Sequence, residues 1–329
     1  METVKASRFA KLDISEKRLP QDGGFRVKMK EKVVDLRVST MPTVYGEKVV
    51  MRILDKSKMS FSLEEFGFEE NNLKIFSKLL SKPYGLIFVT GPTGSGKSTT
   101  LYGALNRVRS PKKNVVTVED PVEYRMDGVN QVQVRAQIGL TFASALRTFL
   151  RQDPDIVMVG EVRDVETAEI CIRAALAGRL VLSTLHTNDT ASAISRLLDL
   201  GLEPFLISSS IILIEAQRLV RRLCPHCKKV YTPDPETKAK YDLGDGEIYK
   251  AVGCEKCRQL GYSGRVGIYE LLVIDEDIRQ LVLKKAIASE IKNLAVKNGL
   301  LTTLLDSGIA KVKKGLTSLE EVLSIVFTE

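Results

Sequence analysis

Tryptophan is missing from this 329-residue chain, aromatic residues make up only 6% of it, and histidine occurs twice. A surface that stacks single-stranded nucleic acid needs aromatic side chains interleaved with basic ones, so this scarcity argues against such a platform. No stretch approaches the roughly eighteen uninterrupted apolar residues of a spanning helix, and residues 1–12 are charged with no apolar h-region. Neither a transmembrane segment nor a signal peptide is therefore expected, and the expectation is a cytoplasmic protein.

Cysteine is scarce too, at five, yet four of the five form two C-x-x-C pairs, Cys224/Cys227 and Cys254/Cys257. In a reducing compartment such pairs read as metal ligands before disulfides. Twenty-six residues separate the pairs, longer than a compact ribbon but compatible with two knuckles meeting around one tetrahedral Zn²⁺. Four thiolates leave no open position for water, so the expected role is stability or docking. A redox dithiol is the alternative, and it lacks the βαβ surroundings that role needs. His226 reads as a bystander between ligands and Cys171 as a packed helix residue.

Lys plus Arg outnumber Asp plus Glu by 49 to 41, a net charge of +8 that favours acidic partners such as nucleotides, nucleic acid or anionic lipid. The basic residues concentrate at Arg218, Arg221, Arg222, Lys228 and Lys229 and at Lys311, Lys313 and Lys314, and these are read first as solvated faces.

The length exceeds what one hydrophobic core usually holds, so more than one domain is expected. Residues 25–54 carry short apolar runs broken by Met41-Pro42 and Tyr45-Gly46, the pattern of a small β-rich unit. It reads as incomplete, either packing on its neighbours or continuing a domain that starts outside the chain. After a polar linker at 55–58, apolar strands at 86–89, 115–118, 156–159 and 180–183 alternate with helical periodicity at 142–152 and 164–177. That alternation predicts a doubly wound α/β core with its ligand at the carboxyl ends of the strands. Gly178 fits a helix stop. Residues 221–264 form the cysteine module, 266–273 a strand, and the tail several short helices.

The sharpest signal is Gly91-Pro92-Thr93-Gly94-Ser95-Gly96-Lys97-Ser98-Thr99, a complete G-x-x-x-x-G-K-[ST] between an apolar strand and a helical segment. Its glycines let backbone N–H groups curl around a di- or triphosphate, Lys97 supplies a charge to the outer phosphates, and the Ser98 hydroxyl is placed to ligate Mg²⁺. A chance Gly-rich turn would not be expected to have that context. Hydrolysis also needs a carboxylate at a neighbouring strand end. One candidate strand, 155–161, ends in Glu161; another, 116–123, carries Glu119, Asp120 and Glu123. His186-Thr187-Asn188-Asp189 follows the strand at 180–185, where His186 either senses a γ-phosphate or is an ordinary structural hydrogen-bonder.

Taken in order, Gly91 to Thr99, Glu119-Asp120-Pro121-Val122-Glu123, Arg151-Gln152-Asp153-Pro154-Asp155 through Gly160-Glu161-Val162-Arg163-Asp164, and Leu182-Ser183-Thr184-Leu185-His186-Thr187-Asn188 resemble the Walker A, Asp box, Walker B and His box of the secretion ATPase superfamily. Leu19-Pro20-Gln21-Asp22-Gly23, Arg37-Val38-Ser39-Thr40-Met41-Pro42 and the cysteine pairs resemble its assembly ATPases of type II secretion systems and type IV pili. Glu203-Pro204-Phe205-Leu206 through Ser210 leans toward the type II branch.

The resemblance implies a RecA-like P-loop NTPase core at 59–220, a small N-terminal domain at 1–58, a zinc module at 221–264 and a mainly helical region at 265–329. It implies ATP, Mg²⁺ and Zn²⁺ as cofactors, Glu161 as the Walker B acid, and Glu123 as the water-activating base. Arg37, Arg147 and Arg151 are implied to reach the nucleotide, some across a subunit boundary, a role that suits the planar guanidinium fork. An ordinary surface ion pair is the alternative for each.

The function implied by the same resemblance is that of a cytoplasmic homo-hexameric motor, peripheral to the inner membrane through platform proteins, that powers pseudopilus assembly in type II secretion; type IV pilus extension stands second. In relatives a membrane-recruiting domain would precede these residues. Two departures stand out: Gly24 where relatives commonly carry Arg, and Arg179 where they commonly carry His. The rival of another class is a nucleic-acid-translocating hexameric ATPase, against which the scarcity of aromatics counts; no nucleic acid partner is expected.

Overall fold

The computed structural model describes residues 9–10, 12–29, 32–55 and 61–327, and the chain divides into two compact units, 1–60 and 61–329. Apart from Asp55, the linker expected at 55–58 lies outside the described residues.

The first unit is an antiparallel meander of β1 (Gln21–Met29), β2 (Lys32–Thr43) and β3 (Gly46–Asp55). A two-residue turn at Val44 and Tyr45 joins β2 to β3, with Thr43 opposite Gly46. Strand alternation sends Val34, Val38 and Thr40 inward, while Arg37 lies on the other face, opposite Gly24 of β1 and Arg52 of β3.

In the second unit α1 (Glu70–Leu80) precedes β4 (Gly85–Thr90), and α2 (Lys97–Val108) follows it. The chain continues through β5 (Val115–Glu119), β6 (Asn130–Gln133), α3 (Phe142–Phe149), β7 (Ile156–Val159), α4 (Val165–Leu176), β8 (Leu180–Leu185), α5 (Thr190–Asp199) and α6 (Pro204–Ser210). It then enters β9 (Ile211–Leu223), the short pair β10 (Lys229–Tyr231) and β11 (Ile248–Lys250) with α7 (Pro235–Lys240) between them, and β12 (Tyr262–Val273). Four helices close the unit: α8 (Glu276–Leu283), α9 (Ala288–Lys297), α10 (Leu304–Lys313) and α11 (Leu319–Phe327).

Seven strands form one sheet in the order β12-β9-β4-β8-β7-β5-β6. All neighbours are parallel except β9 and β12, which run antiparallel. The strands read from the sequence at 86–89, 115–118, 156–159 and 180–183 all lie in this sheet. The sheet is mixed rather than purely parallel, because β9 and β12 are the two arms of a long hairpin with the cysteine module at its tip. The expected start of a helical region at 265 falls inside β12, and that of the cysteine module at 221 inside β9.

Alternation divides the core into two layers. Leu86 and Phe88 face the cluster built with α3, α4 and α5; Ile87 and Val89 face α1 and α2, where Phe76, Leu101 and Leu105 are buried. Strands covered on both faces read as unbroken apolar runs, and burying each such side chain contributes about 1.5–3 kcal/mol. A third cluster, including Val220, Ile268, Val312 and Val322, joins the β9–β12 hairpin to α10 and α11.

Candidate active site

The 91–99 loop leaves the carboxyl end of β4 and winds into α2. Gly91 and Gly96 have φ of +146° and +94°, and a Cβ on Gly91 would lie 2.6 Å from the carbonyl oxygen of Gln217. Glycine is needed there for both backbone angle and space. Gln217, buried on β9, donates from Nε2 to the Ser95 carbonyl at 2.5 Å and accepts from the Thr100 hydroxyl at 2.6 Å, fixing the loop from the neighbouring strand.

Lys97 folds back over the loop, with Nζ 2.7 Å from the Gly91 carbonyl and 3.1 Å from that of Pro92. Burial brings its ammonium down to about 8, with the Glu161 charge opposing that fall and Arg218 adding to it. The Ser95 hydroxyl is buried without a partner, whereas Pro92, Thr93, Gly94 and Ser98 are exposed and Thr99 is half-buried. A helix N-terminus with an exposed hydroxyl, a buried cation short of anionic partners and an orphaned Oγ fit the phosphates of ATP with a Mg²⁺ on Ser98.

Glu161 follows β7, at the same end of the sheet. It pairs with Arg163, and its Oε2 lies 3.2 Å from His186 Nε2 beyond β8. The sheet order thus brings Lys97, Glu161 and His186 to one edge. Glu119, the other strand-end carboxylate, is buried and accepts from the hydroxyls of Tyr102 and Thr117 and from Gln131 Nε2. These three bonds hold the carboxylate in place. The Tyr102 oxygen in turn accepts the backbone N–H groups of Glu123 and Tyr124, each at 3.2 Å, so Glu119 sets the turn that carries Glu123. Glu123, at the end of that turn, is half-buried.

The four sulfurs of Cys224, Cys227, Cys254 and Cys257 lie within 4.8 Å of one another. Contacts of 3.7, 3.8 and 3.9 Å among them compare with the ~3.8 Å edge of a tetrahedron with 2.3 Å zinc–sulfur arms. Burial opposes ionisation of Cys257, but the N–H groups of Cys254 and Gly261, both 3.2 Å from its sulfur, bring it down to about 6. The cluster fits Zn²⁺, and His226 is exposed between its ligands.

The sequence model of the family described as "Type II/IV secretion system protein" matches residues 3–324. The chain belongs to this family. It is 53% identical to the type IV pilus assembly ATPase PilB of Thermus thermophilus over 318 residues, 95% of this chain and 36% of that protein. It is 50% identical to the type II secretion system ATPase E of Vibrio cholerae over 322 residues, 96% of this chain and 63% of that protein. The chain thus spans less than two thirds of the length of these relatives. Among solved structures it resembles the pilus retraction motor PilT with bound ADP (27% identity, TM-score 0.66, 92% of this chain and 77% of that one). In fold alone it resembles the ATPase DotB of Yersinia pseudotuberculosis (20% identity, TM-score 0.72, 100% and 82%).

In this secretion-system protein, not every residue singled out from sequence converges on the loop. Arg147, on α3, pairs with Glu166 of α4, and Arg151 donates to the Arg147 carbonyl at 3.0 Å, so their partners within the chain are away from the 91–99 loop. Arg37 belongs to the first unit. Arg163 and Arg218 carry no role that the sequence reveals. Arg218, grouped by sequence with solvated basic residues, donates from Nη2 to the Asn188 carbonyl at 2.9 Å, and its Nη1 lies 3.2 Å from where a Gly91 Cβ would sit. Only the position of β9 beside β4 reveals this, and a strand order that skips along the chain is not written in local periodicity.

Proposed function

We propose that this chain is the ATP-hydrolysing motor portion of an assembly ATPase that drives pseudopilus assembly in type II secretion, with type IV pilus extension the closely related alternative. The observation that carries the reading is Glu161: it faces His186 at 3.2 Å and its charge acts on Lys97 of the phosphate loop. Relatives named for both systems, at 53% and 50% identity, support the motor role, and the ADP in the PilT structure supports an adenine nucleotide at the loop.

In this reading residues 91–99 hold ATP, and Mg²⁺ bound at Ser98 would neutralise charge on the phosphates. Glu161 would help hold that ion, Glu123 would take the proton of the attacking water, and His186 would respond to loss of the γ-phosphate. Arg37, Arg147 and Arg151 supply positive charge within a homo-hexamer, some from neighbouring subunits. The segments 1–58, 59–220, 221–264 and 265–329 act as N-terminal domain, ATPase core, zinc module and C-terminal region. The ring works in the cytoplasm, peripheral to the inner membrane through platform proteins.

Two variants test the site. Lys97→Ala should abolish nucleotide binding in calorimetry. Glu161→Gln should still bind ATP while phosphate release falls by about 10²–10³-fold, as expected when an acid essential to the transition state is lost. Hydrolysis at the parental rate by either variant would contradict the assignment.

A further inference from the structure

The residues of the four-residue loop after β8, and Thr190, the first residue of α5, each touch a different neighbour. His186 faces Glu161. The Thr187 N–H donates to Thr90 Oγ1 at 2.9 Å, and the two hydroxyls lie 2.7 Å apart, tying the loop to the last residue of β4. The Asn188 carbonyl accepts from Arg218. Asp189 caps α5 by accepting the Ser192 N–H at 2.7 Å, and its other oxygen lies 3.2 Å from Lys292 Nζ on α9. Thr190 donates both its N–H, at 3.0 Å, and its hydroxyl, at 2.7 Å, to Glu270 Oε1 on β12.

Glu270 is wholly buried, and its second oxygen accepts the Leu304 N–H of α10 at 3.3 Å and lies 3.4 Å from Lys292 Nζ. One ammonium therefore sits between two carboxylates, one capping the helix that leaves the catalytic loop and the other holding that helix's first residue. Burial opposes the charge on Lys292, yet Glu270 and Asp189 hold its pKa above the ordinary lysine value. Ile291 and Ala295 already fasten α9 to the apolar core, so the ionic contact is not needed to bury that helix. Removing the ammonium would leave Asp189 and Glu270 without their shared counter-charge, and Asp189 belongs to the loop.

We propose that Lys292, seated between Asp189 and Glu270, is a positioning residue for hydrolysis: it fixes the 186–190 loop so that His186 stays on Glu161, and makes the C-terminal helices part of the hydrolytic apparatus. This rests on the reading of the 91–99 loop and Glu161 as the hydrolytic site.

The test compares Lys292→Met and Lys292→Arg in the full chain. With only two histidines present, ring ¹H–¹³C spectra report His186 directly, and His226 in the cysteine module serves as internal reference. Lys292→Met should move the His186 signals and leave those of His226 in place, while Lys292→Arg retains the parental positions. In kinetics Lys292→Met should lower kcat for ATP several-fold with KM changed by less than about twofold, and Lys292→Arg should recover most of the loss. In a His186→Ala background Lys292→Met should cost nothing further, because the two act through one contact. An unmoved His186 signal in folded Lys292→Met protein, or additive losses in the double variant, would overturn the proposal. If the parental protein released no phosphate from ATP, the proposed function would fall, and the spectra would still decide whether Lys292 positions the loop.

Discussion

Lys97 is a cation in a dry place, and its pKa of about 8 has a consequence for binding. Nucleotide phosphates favour the ammonium, so its pKa is higher in the complex than in the free protein. Between those two values binding takes up a proton and affinity falls as pH rises; below about 8 this group leaves affinity flat. Calorimetry at pH 9 in two buffers of different ionisation enthalpy should show proton uptake absent at pH 7, with ATP binding weakening by up to about tenfold per pH unit above 8. At this scale the loop was legible because its chemistry is local: nine consecutive residues contain glycines, lysine and hydroxyl in fixed order. Glu119 and Arg218 were not, because what distinguishes a satisfied carboxylate from a reactive one, or a loop-side arginine from a solvated one, is a partner far away in the chain.

Among the elements, β9 combines the most incompatible demands. Its buried Gln217 holds the phosphate loop, yet two residues earlier Glu215 is also wholly buried, with neither carboxylate oxygen bonded, opposite Val89 on one side and Leu271 on the other. Burial pushes the Glu215 carboxyl well above its ordinary value, so it folds in the neutral form. The unfolded chain releases that proton once pH exceeds about 4.5, so the native state loses stability relative to it as pH rises beyond that point. Glu215→Leu should therefore stabilise the protein by about 1–3 kcal/mol. The gain in denaturant melts should be larger at pH 8 than near pH 4.5; a loss at both would refute this account. The parallel strands were readable from sequence because strands covered on both faces appear as unbroken apolar runs. The pairing of β9 with β12 was not, since 38 residues separate Leu223 from Tyr262 and local patterning carries no record of which strand returns to which.

For the whole molecule, the sequence divides where the structure does only in part: a small β unit and an α/β unit are both evident in composition, but the β9–β12 hairpin joins core, cysteine module and C-terminal helices into one body. If Arg37 serves a neighbouring subunit's nucleotide, two inactive proteins should repair each other. Mixing Lys97→Ala, which keeps Arg37, with Arg37→Ala, which keeps the loop, should restore phosphate release to a sizeable fraction of parental; absence of recovery would place Arg37 in its own subunit's site. The same hairpin has a mechanical corollary. From Gln217, which grips the phosphate loop, to Cys224 of the four-cysteine cluster, the backbone runs seven residues along and just past one strand, a beam of about 23 Å. Its pairing with β12 is regular from Gln217 to Arg221 and shifts register only next to Leu223, so most of its length carries a displacement without bending. With Zn²⁺ in that cluster, as proposed, stripping it with a chelator should therefore raise the KM for nucleotide before the α/β unit melts, so that a module outside the hydrolytic site sets how firmly fuel is gripped.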